Sequence, residues 1–277
     1  MGKILGYLGP PGTFTEEVSI KYAGDKDLLL KSFPALDQVF SAVMRKEIEY
    51  GVVPVENSLE GSVSLTHDLL SNSRVKIQGE LLFRVRQFLL ARPGQKPSHI
   101  REICSHPQAL AQCRLYLDKF YPGRPRINSS STAEAAAVAS QNDGKAAIAS
   151  LRAAELYGLE ILQGNIQDES SNITRFLLLA LDDAPPTGKD KTSLLVGLDD
   201  KPGTLYSILG IFARYSLNLT KIESRPIKGE LGKYIFFLDF AGHRKDDTVA
   251  RALLEAEKQA VFLKVLGSYP RAEKDDC

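Results

Sequence analysis

Apolar residues in this chain come in short runs, and the runs alternate between strand and helix periods. Residues 4–8 read as a strand turned by Gly9-Pro10-Pro11-Gly12. A helix follows to about 23, with Thr13 or Thr15 as N-cap and Glu16 and Glu17 in the first turn, where the helix dipole favours acids. A strand at 28–32, an amphipathic helix at 36–46 and a buried strand at 50–55 come next. Glu56-Asn57-Ser58 then leads into a helix running to 70. Residues 75–81 and 85–91 are longer strands rich in residues of high β-propensity. Alternation resumes with a strand ending at Cys104, and Ser105-His106-Pro107-Gln108 opens a helix over 109–119, Pro107 near its first position. Residues 126–127 form a strand, Ser129-Ser130-Ser131-Thr132 precedes a helix over 133–142, and 145–149 is a strand. Ser150 caps a helix over 151–157 that Gly158 terminates, and 159–162 is short and apolar. The class expected is α/β with open sheets.

Toward the end of this region a polar loop, 167–171, runs into an apolar strand at 176–181. The junction reads Asn172-Ile173-Thr174-Arg175-Phe176, an amide, a hydroxyl and a guanidinium where a loop becomes a rigid element. Such a junction holds geometry well enough for chemistry, although it also suits a plain strand start with a surface arginine. Paired prolines, a glycine and several charges over 182–190 mark a linker. Beyond it, strands at 193–198, 217–224, 234–240 and 262–269 and helices at 202–215 and 245–259 give the ferredoxin-like order βαββαβ. The charged tail 271–277 is expected to be disordered.

One arrangement recurs: a strand ends, hydroxyl or amide side chains appear, and a helix begins. It occurs at Thr13 and Thr15, Asn57 and Ser58, Ser105, Ser129 to Thr132, and Ser150. Ligands of open α/β sheets bind beyond the carboxyl ends of strands, where helix N-termini offer N–H groups and partial positive charge. Several such ends in one crevice would hold a small anion with more than one carboxylate. Each residue singly could be a cap and no more. The tetrad Ser129–Thr132 exceeds that need, since one hydroxyl suffices.

Composition narrows the classes. With 277 residues the chain suits two or three domains. Thirty-five basic against 34 acidic residues leave a net charge of +1, which gives no footprint for nucleic acid or an anionic membrane. An anion must therefore be held by a local site. Cys104, Cys113 and Cys277 show no CxxC or metal-type spacing and read as free thiols in a reducing compartment. No signal-type apolar segment, lipidation signal or run near the roughly 18 residues of a membrane span is present, so a cytoplasmic location is expected.

Five stretches together resemble the prephenate dehydratase family over nearly the whole chain. They are 6–14 (GYLGPPGTF), 54–58 (PVENS), 105–110 (SHPQAL) with Gln112-Cys113, 130–136 (SSTAEAA) and 172–176 (NITRF). The C-terminal unit resembles an ACT domain through Gly203-Thr204-Leu205-Tyr206 and Glu223-Ser224-Arg225-Pro226. Each motif is weak alone, and their order and spacing make the match specific. The resemblance implies a two-lobed, periplasmic-binding-protein-like catalytic region at 1–182, with one lobe about 1–76 plus 164–182 and the other about 77–163. A linker at 183–190 and an ACT domain at 191–270 follow. It implies decarboxylation and dehydration of prephenate to phenylpyruvate, with phenylalanine as feedback effector. Thr174 matches the family's catalytic threonine, expected to donate a hydrogen bond to the departing hydroxyl, and Arg175 is the expected carboxylate clamp. Thr13, Asn57, Ser58, Ser129, Ser130, Ser131, Thr132, Ser150, Asn172 and Phe176 are the expected substrate contacts. Gly203, Thr204, Leu205, Asn218, Leu219, Glu223, Ser224, Arg225 and Pro226 are the expected effector contacts, Thr204 standing where the family usually has alanine.

No metal or organic cofactor is required by this chemistry. The single-function form is expected because no chorismate-mutase-like helical segment precedes the first strand. A homodimer or dimer of dimers is expected, since an ACT-type sheet pairs to shield its edge. His106, beside Pro107 at a helix start, and Glu56 read as structural, and His67, His99 and His243 join no constellation. Arogenate in place of prephenate, or a non-catalytic carboxylate or amino-acid sensor on the same cleft, are the competing readings. A dinucleotide-dependent oxidoreductase is set aside, because Gly9-Pro10-Pro11-Gly12 lacks the GxGxxG spacing and its prolines remove N–H donors.

Overall fold

A computed structural model describes residues 2–24, 26–227 and 234–272. The chain opens with β1 (Lys3–Leu8), α1 (Phe14–Ala23), β2 (Leu28–Phe33), α2 (Leu36–Met44) and β3 (Tyr50–Asn57). A two-residue strand β4 (Gly61–Ser62) and α3 (Ser64–Asn72) lead to β5 (Lys76–Arg84). Next come β6 (Phe88–Ala91), β7 (Glu102–Ser105), α4 (Pro107–Gln112), α5 (Arg114–Phe120) and β8 (Arg126–Asn128). Then follow α6 (Thr132–Gln141), β9 (Lys145–Ala149), α7 (Leu151–Tyr157), β10 (Glu160–Gly164) and β11 (Ile173–Ala180).

These strands make two sheets. One has the order β2-β1-β3-β11-β5, with β4 paired to β3, and the other the order β10-β6-β9-β7-β8. The chain passes from the first sheet to the second between β5 and β6 and returns between β10 and β11, which gives the two-lobed, periplasmic-binding-protein-like plan. In the second lobe small side chains let helices lie close on the sheet. Ala135, Ala136 and Ala139 of α6 and Ala153 of α7 meet Ala147 and Ala149 of β9, all fully buried.

Several boundaries differ from those expected; the strand expected at 85–91 begins only at Phe88, so 85–87 form a crossing. β3 runs on through Glu56 and Asn57, and α3 starts only at Ser64. The amide of Asn57 is used by a hairpin, its Oδ1 accepting from the N–H groups of Leu59 (3.0 Å) and Glu60 (3.1 Å), so Asn57-Ser58 caps no helix. The helix expected over 109–119 is two helices broken at Cys113. The first is capped by His106, whose Nδ1 accepts from the N–H of Gln108 at 3.3 Å. Ser105 belongs to β7, and its hydroxyl donates to the carbonyl of Ile148 at 2.6 Å instead of capping. Finally, β11 begins at Ile173, so Thr174 and Arg175 are strand residues and take its alternation.

By density of contacts the chain divides into two compact units, one from residues up to 66 and 82–176, the other from 67–81 and 177 onward. The second unit adds β12 (Asp190–Gly197), α8 (Thr204–Arg214), β13 (Leu219–Pro226), β14 (Tyr234–Ala241), α9 (Asp247–Gln259) and β15 (Phe262–Pro270). Its antiparallel sheet has the order β13-β14-β12-β15, the ferredoxin-like arrangement, with α8 and α9 covering a core around Leu194, Phe212 and Phe240. Residues 67–81 belong to this unit through polar clamps. Lys191 Nζ reaches both carboxylate oxygens of the buried Glu80, at 2.7 and 2.8 Å. Lys264 Nζ donates to the carbonyls of Leu70 (2.8 Å), Ser71 (2.9 Å) and Ser73 (2.5 Å), the end of α3 where a cation offsets the helix dipole. The segment expected as a linker is tied down, with Ala184 buried and Asp183 paired to Arg244 at 2.6 Å. Of the charged tail, residues 273–277 lie outside the described residues, and no described helix is long and apolar enough to cross a membrane.

The packing can be tested at two places. A Cβ at Gly267 of β15 would sit 2.8 Å from the backbone N and 2.9 Å from the carbonyl carbon of Ile77, both within the second unit. Backbone cannot yield as a side-chain tip can, so Gly267→Ala should cost at least about 2 kcal/mol in urea unfolding. Cys104 and Cys113 are buried, and burial pushes the Cys113 thiol up to about 12. A Cys277→Ser variant should therefore show no reaction with a thiol reagent at pH 8 until it is unfolded.

Candidate active site

The first unit holds a cavity of about 370 Å³ bordered by both of its sheets. From the first lobe come Leu8, Thr13, Phe14, Pro54 and Asn57, and from the second His106, Gln108, Gln112 and Ser130 to Thr132. Strand β11 and the β5–β6 crossing supply Asn172, Thr174, Phe176, Val85 and Gln87. Alternation along β11 turns Asn172, Thr174 and Phe176 inward, and the same rule on β3 turns Asn57 inward and Glu56 away.

The inward residues form one hydrogen-bonded chain. Asn57 Nδ2 donates to Asn172 Oδ1 at 2.7 Å and to Thr174 Oγ1 at 2.8 Å. Asn172 Nδ2 donates to Gln112 Oε1 at 3.2 Å, and Gln87 Nε2 approaches the same oxygen at 3.4 Å. The direction of this chain has a cause. Backbone N–H groups can only donate, so those of Leu59 and Glu60 require the oxygen end of Asn57 to face them, and its NH₂ must face Asn172 and Thr174. Thr174 Oγ1 is thus already an acceptor, and its own proton remains to be donated into the cavity. Asn172 and Gln87 are almost fully buried, at 1% and 2% exposure, which locks their amides.

Helices α1 and α6 both begin at the cavity. Thr13 Oγ1 accepts from the N–H of Glu16 at 3.4 Å and Ser131 Oγ from that of Glu134 at 3.0 Å, so each is a true N-cap. Glu134 returns its carboxylate to the N–H (2.7 Å) and hydroxyl (2.6 Å) of Ser130, and those two donors hold its carboxyl below the usual range. Among the described lining residues there is no lysine or arginine. Positive potential at the cavity therefore comes from helix ends, amides and hydroxyls.

Not every expected contact reaches the cavity. Arg175 points to the other face of β11, its Nη1 3.9 Å from Glu56 Oε2. Ser58 is exposed and spliced into the backbone, its hydroxyl accepting from Ile173 N at 3.0 Å and donating to Ser171 O at 3.3 Å. Ser129 pairs its N–H with Ser105 O at 2.9 Å, beside the cavity but outside its lining. Ser150 is fully buried, caps α7 through Ala153 N at 3.1 Å and donates to Gly12 O at 2.9 Å. It fastens the Gly9–Gly12 turn to the second lobe. Gln87, Gln108, Gln112 and His106, by contrast, line the cavity although the sequence pattern marks none of them as contacts. All but Gln87 stand in the stretch 105–113 that carries part of the family resemblance, the one signal available for them.

In the second unit the expected effector residues divide by strand alternation. Gly203 (φ 87°) is the N-cap residue of α8, and Thr204 Oγ1 donates to the carbonyls of Asp199 (3.0 Å) and Lys201 (3.1 Å). Glu223 and Arg225 turn one way and meet α3, Glu223 at 3.5 Å from the buried His67 and Arg225 at 2.9 Å from Asp68. Ser224 and Pro226 turn the other way and are exposed, as is Asn218, while Leu205 and Leu219 are half-buried. His67 thus joins a constellation after all, stacked edge-on against Phe237 at 4.6 Å.

Two α/β lobes bordering a cavity of neutral donors, followed by a ferredoxin-like unit, define a two-lobed α/β protein whose cavity suits a small anion, with an appended ferredoxin-like module. Residues 5–184 match the prephenate dehydratase family model and 192–258 the ACT domain model. The chain belongs to the prephenate dehydratase family. A bifunctional chorismate mutase/prephenate dehydratase of Aquifex aeolicus is 44% identical over 268 residues, 97% of this chain and 74% of that protein. A prephenate dehydratase of Methanocaldococcus jannaschii is 38% identical over 98% of this chain and 99% of its own. The crystal structure of prephenate dehydratase in complex with L-Phe from Arthrobacter aurescens superposes with a TM-score of 0.90 at 37% identity, covering 98% of this chain and 91% of that one.

The amide chain makes a stability prediction. Asn57→Asp removes both donors and sets a carboxylate oxygen against Asn172 Oδ1. The variant should lose about 1–3 kcal/mol in denaturant unfolding at pH 7. Ser58→Ala, at an exposed site, should lose less.

Proposed function

We propose that this chain converts prephenate to phenylpyruvate, carbon dioxide and water, under the control of phenylalanine bound by its ACT domain. The observation that carries the mechanism is Thr174, held by Asn57 through its oxygen and so oriented to donate. Prephenate carries two carboxylates and a ring hydroxyl. As the ring carboxylate leaves as carbon dioxide, the electron pair of its carbon–carbon bond enters the ring and the ring carbon–oxygen bond breaks. The departing hydroxyl takes up a proton and leaves as water, and the ring becomes aromatic. A threonine is far too weak an acid to supply that proton outright. Its part is a hydrogen bond that strengthens as negative charge develops on the leaving oxygen, with the proton relayed from solvent.

The carboxylates are received by the N-termini of α1 and α6, with Thr13, Ser131 and Thr132, and by the Asn172 and Gln112 amides. Phe176 lies against the ring. Arg175 acts from behind β11, where its pairing with Glu56 holds β3 and β11 in register. The reaction needs no metal or organic cofactor. We assign the catalytic region to 1–182, the linker to 183–190 and the effector module to 191–270. Phenylalanine would meet Gly203, Thr204 and Leu205 at the start of α8, and Asn218, Leu219, Glu223, Ser224, Arg225 and Pro226 along β13. The Arthrobacter aurescens relative, whose crystal structure is a complex with L-Phe, supports this reading. The chain would act in the cytoplasm as a homodimer or dimer of dimers.

The test is release of phenylpyruvate from prephenate by wild type and Thr174→Ala, with and without phenylalanine. The variant should lose roughly 10²–10³ in kcat with KM changed only a few-fold, as when one preorganised donor is removed. Wild-type turnover should drop with phenylalanine. Equal turnover by the variant would overturn the role of Thr174, and turnover on arogenate alone would move the substrate to the aminated acid.

A further inference from the structure

A second recess of about 190 Å³ opens in the first unit, away from the amide chain. Its walls are the rings of Phe14, Phe83 and Phe88 and the side chain of Leu151, all left half-buried or exposed. An apolar cavity of about 150 Å³ is enough to take up benzene. This recess therefore has room for one aromatic ring and a short polar stem.

The polar groups of the recess come in a matched set. Glu17, in the first turn of α1, has a carboxylate oxygen, Oε2, that is buried without a hydrogen-bond partner. Burial, with the Glu155 carboxylate nearby, pushes its carboxyl up to about 7 against the opposing pull of Arg152 and Arg86. Arg84 and Arg86 stand in the lining, and Arg84 gives one donor to Ser170 O at 3.2 Å. A carboxyl set among apolar groups keeps its charge more readily with a cationic donor beside it. A carboxylate ligand alone would suit the arginines and bring no cation to Glu17. An amine alone would meet Glu17 and face two guanidinium groups.

We propose that this recess is a second ligand site, for a free aromatic amino acid in its zwitterionic form. The ring lies among Phe14, Phe83 and Phe88, the ammonium pairs with Glu17, and the carboxylate is taken by Arg86 and Arg84. Phe14 borders both this recess and the substrate cavity, and its ring lies 6.4 Å from that of Phe83, so occupancy is felt at the substrate wall. The site is independent of the β13 region and of the reaction assigned above.

The experiment is ¹⁹F NMR of 4-fluoro-L-phenylalanine with the full chain, comparing wild type with Glu17→Gln, Leu151→Trp and Arg225→Ala. Leu151 is an exposed residue at the start of α7, and tryptophan there fills the recess without touching the core. One bound resonance should weaken at least tenfold in affinity in Glu17→Gln, vanish in Leu151→Trp and persist in Arg225→Ala. Its affinity should rise several-fold from pH 6 to pH 8 as Glu17 ionises, and stay flat in Glu17→Gln. 4-Fluorophenethylamine and 3-(4-fluorophenyl)propionate, each lacking one charge, should bind at least tenfold more weakly. A bound resonance that survives Leu151→Trp overturns the site, as does equal binding of either analogue. A spectrum whose bound signals are all lost in Arg225→Ala overturns it too.

Discussion

The two backbone N–H groups that follow Asn57, those of Leu59 and Glu60, orient everything at the floor of the cavity. They can bond only to oxygen, so they turn the Asn57 amide one way, and Asn172, Gln112 and Gln87 follow in sequence. An amide chain reversed at any link would set donors against donors in a buried place, at about 1–3 kcal/mol for each mismatch. The hairpin between β3 and β4 is therefore more than a connection. It is the fixed reference from which the Thr174 hydroxyl inherits its direction.

That reference works only because β3 and β11 are neighbours in one sheet although 115 residues separate Asn57 from Asn172. β11 is also the strand by which the chain returns from the second lobe, so the residues that complete the site arrive after both lobes have been built. Strand alternation then sorts them. Thr174 and Phe176 enter the cavity, and Arg175, between them in sequence, is excluded and meets Glu56.

This explains which parts were legible in the sequence. The α/β alternation, the ferredoxin-like order and the caps Thr13 and Ser150 rest on local rules, and the structure has them where those rules put them. The Asn57-Ser58 pair misled, because an asparagine after a strand serves a hairpin as readily as a helix cap, and only the partner of its amide distinguishes the two. Ser105 and His106 exchanged roles for a similar reason: once β7 extends through Ser105, the next side chain able to accept is an imidazole. Ser150 was read correctly as a cap, yet its second bond, to Gly12 across 138 residues, depends on tertiary contact that no local pattern encodes. Arg175 shows the limit most sharply. A boundary three residues off in β11 changed the face to which a guanidinium points.

The exclusion of Arg175 also makes chemical sense for the reaction assigned to the cavity. A guanidinium clamped on the ring carboxylate would stabilise the substrate most strongly just where charge must disappear as carbon dioxide leaves, and equal or stronger binding of the ground state does nothing for the rate. Helix ends and neutral amides can hold a dianion without pinning that charge. In the mechanism proposed above, the Thr174 hydroxyl would face the opposite change, toward an oxygen that gains negative charge as its bond breaks. A fixed donor is worth most at such a point, since it needs no reorganisation when the charge arrives. The lining of weak, oriented dipoles in place of lysine or arginine therefore favours the departing hydroxyl over the departing carboxylate, which is the bias this elimination requires.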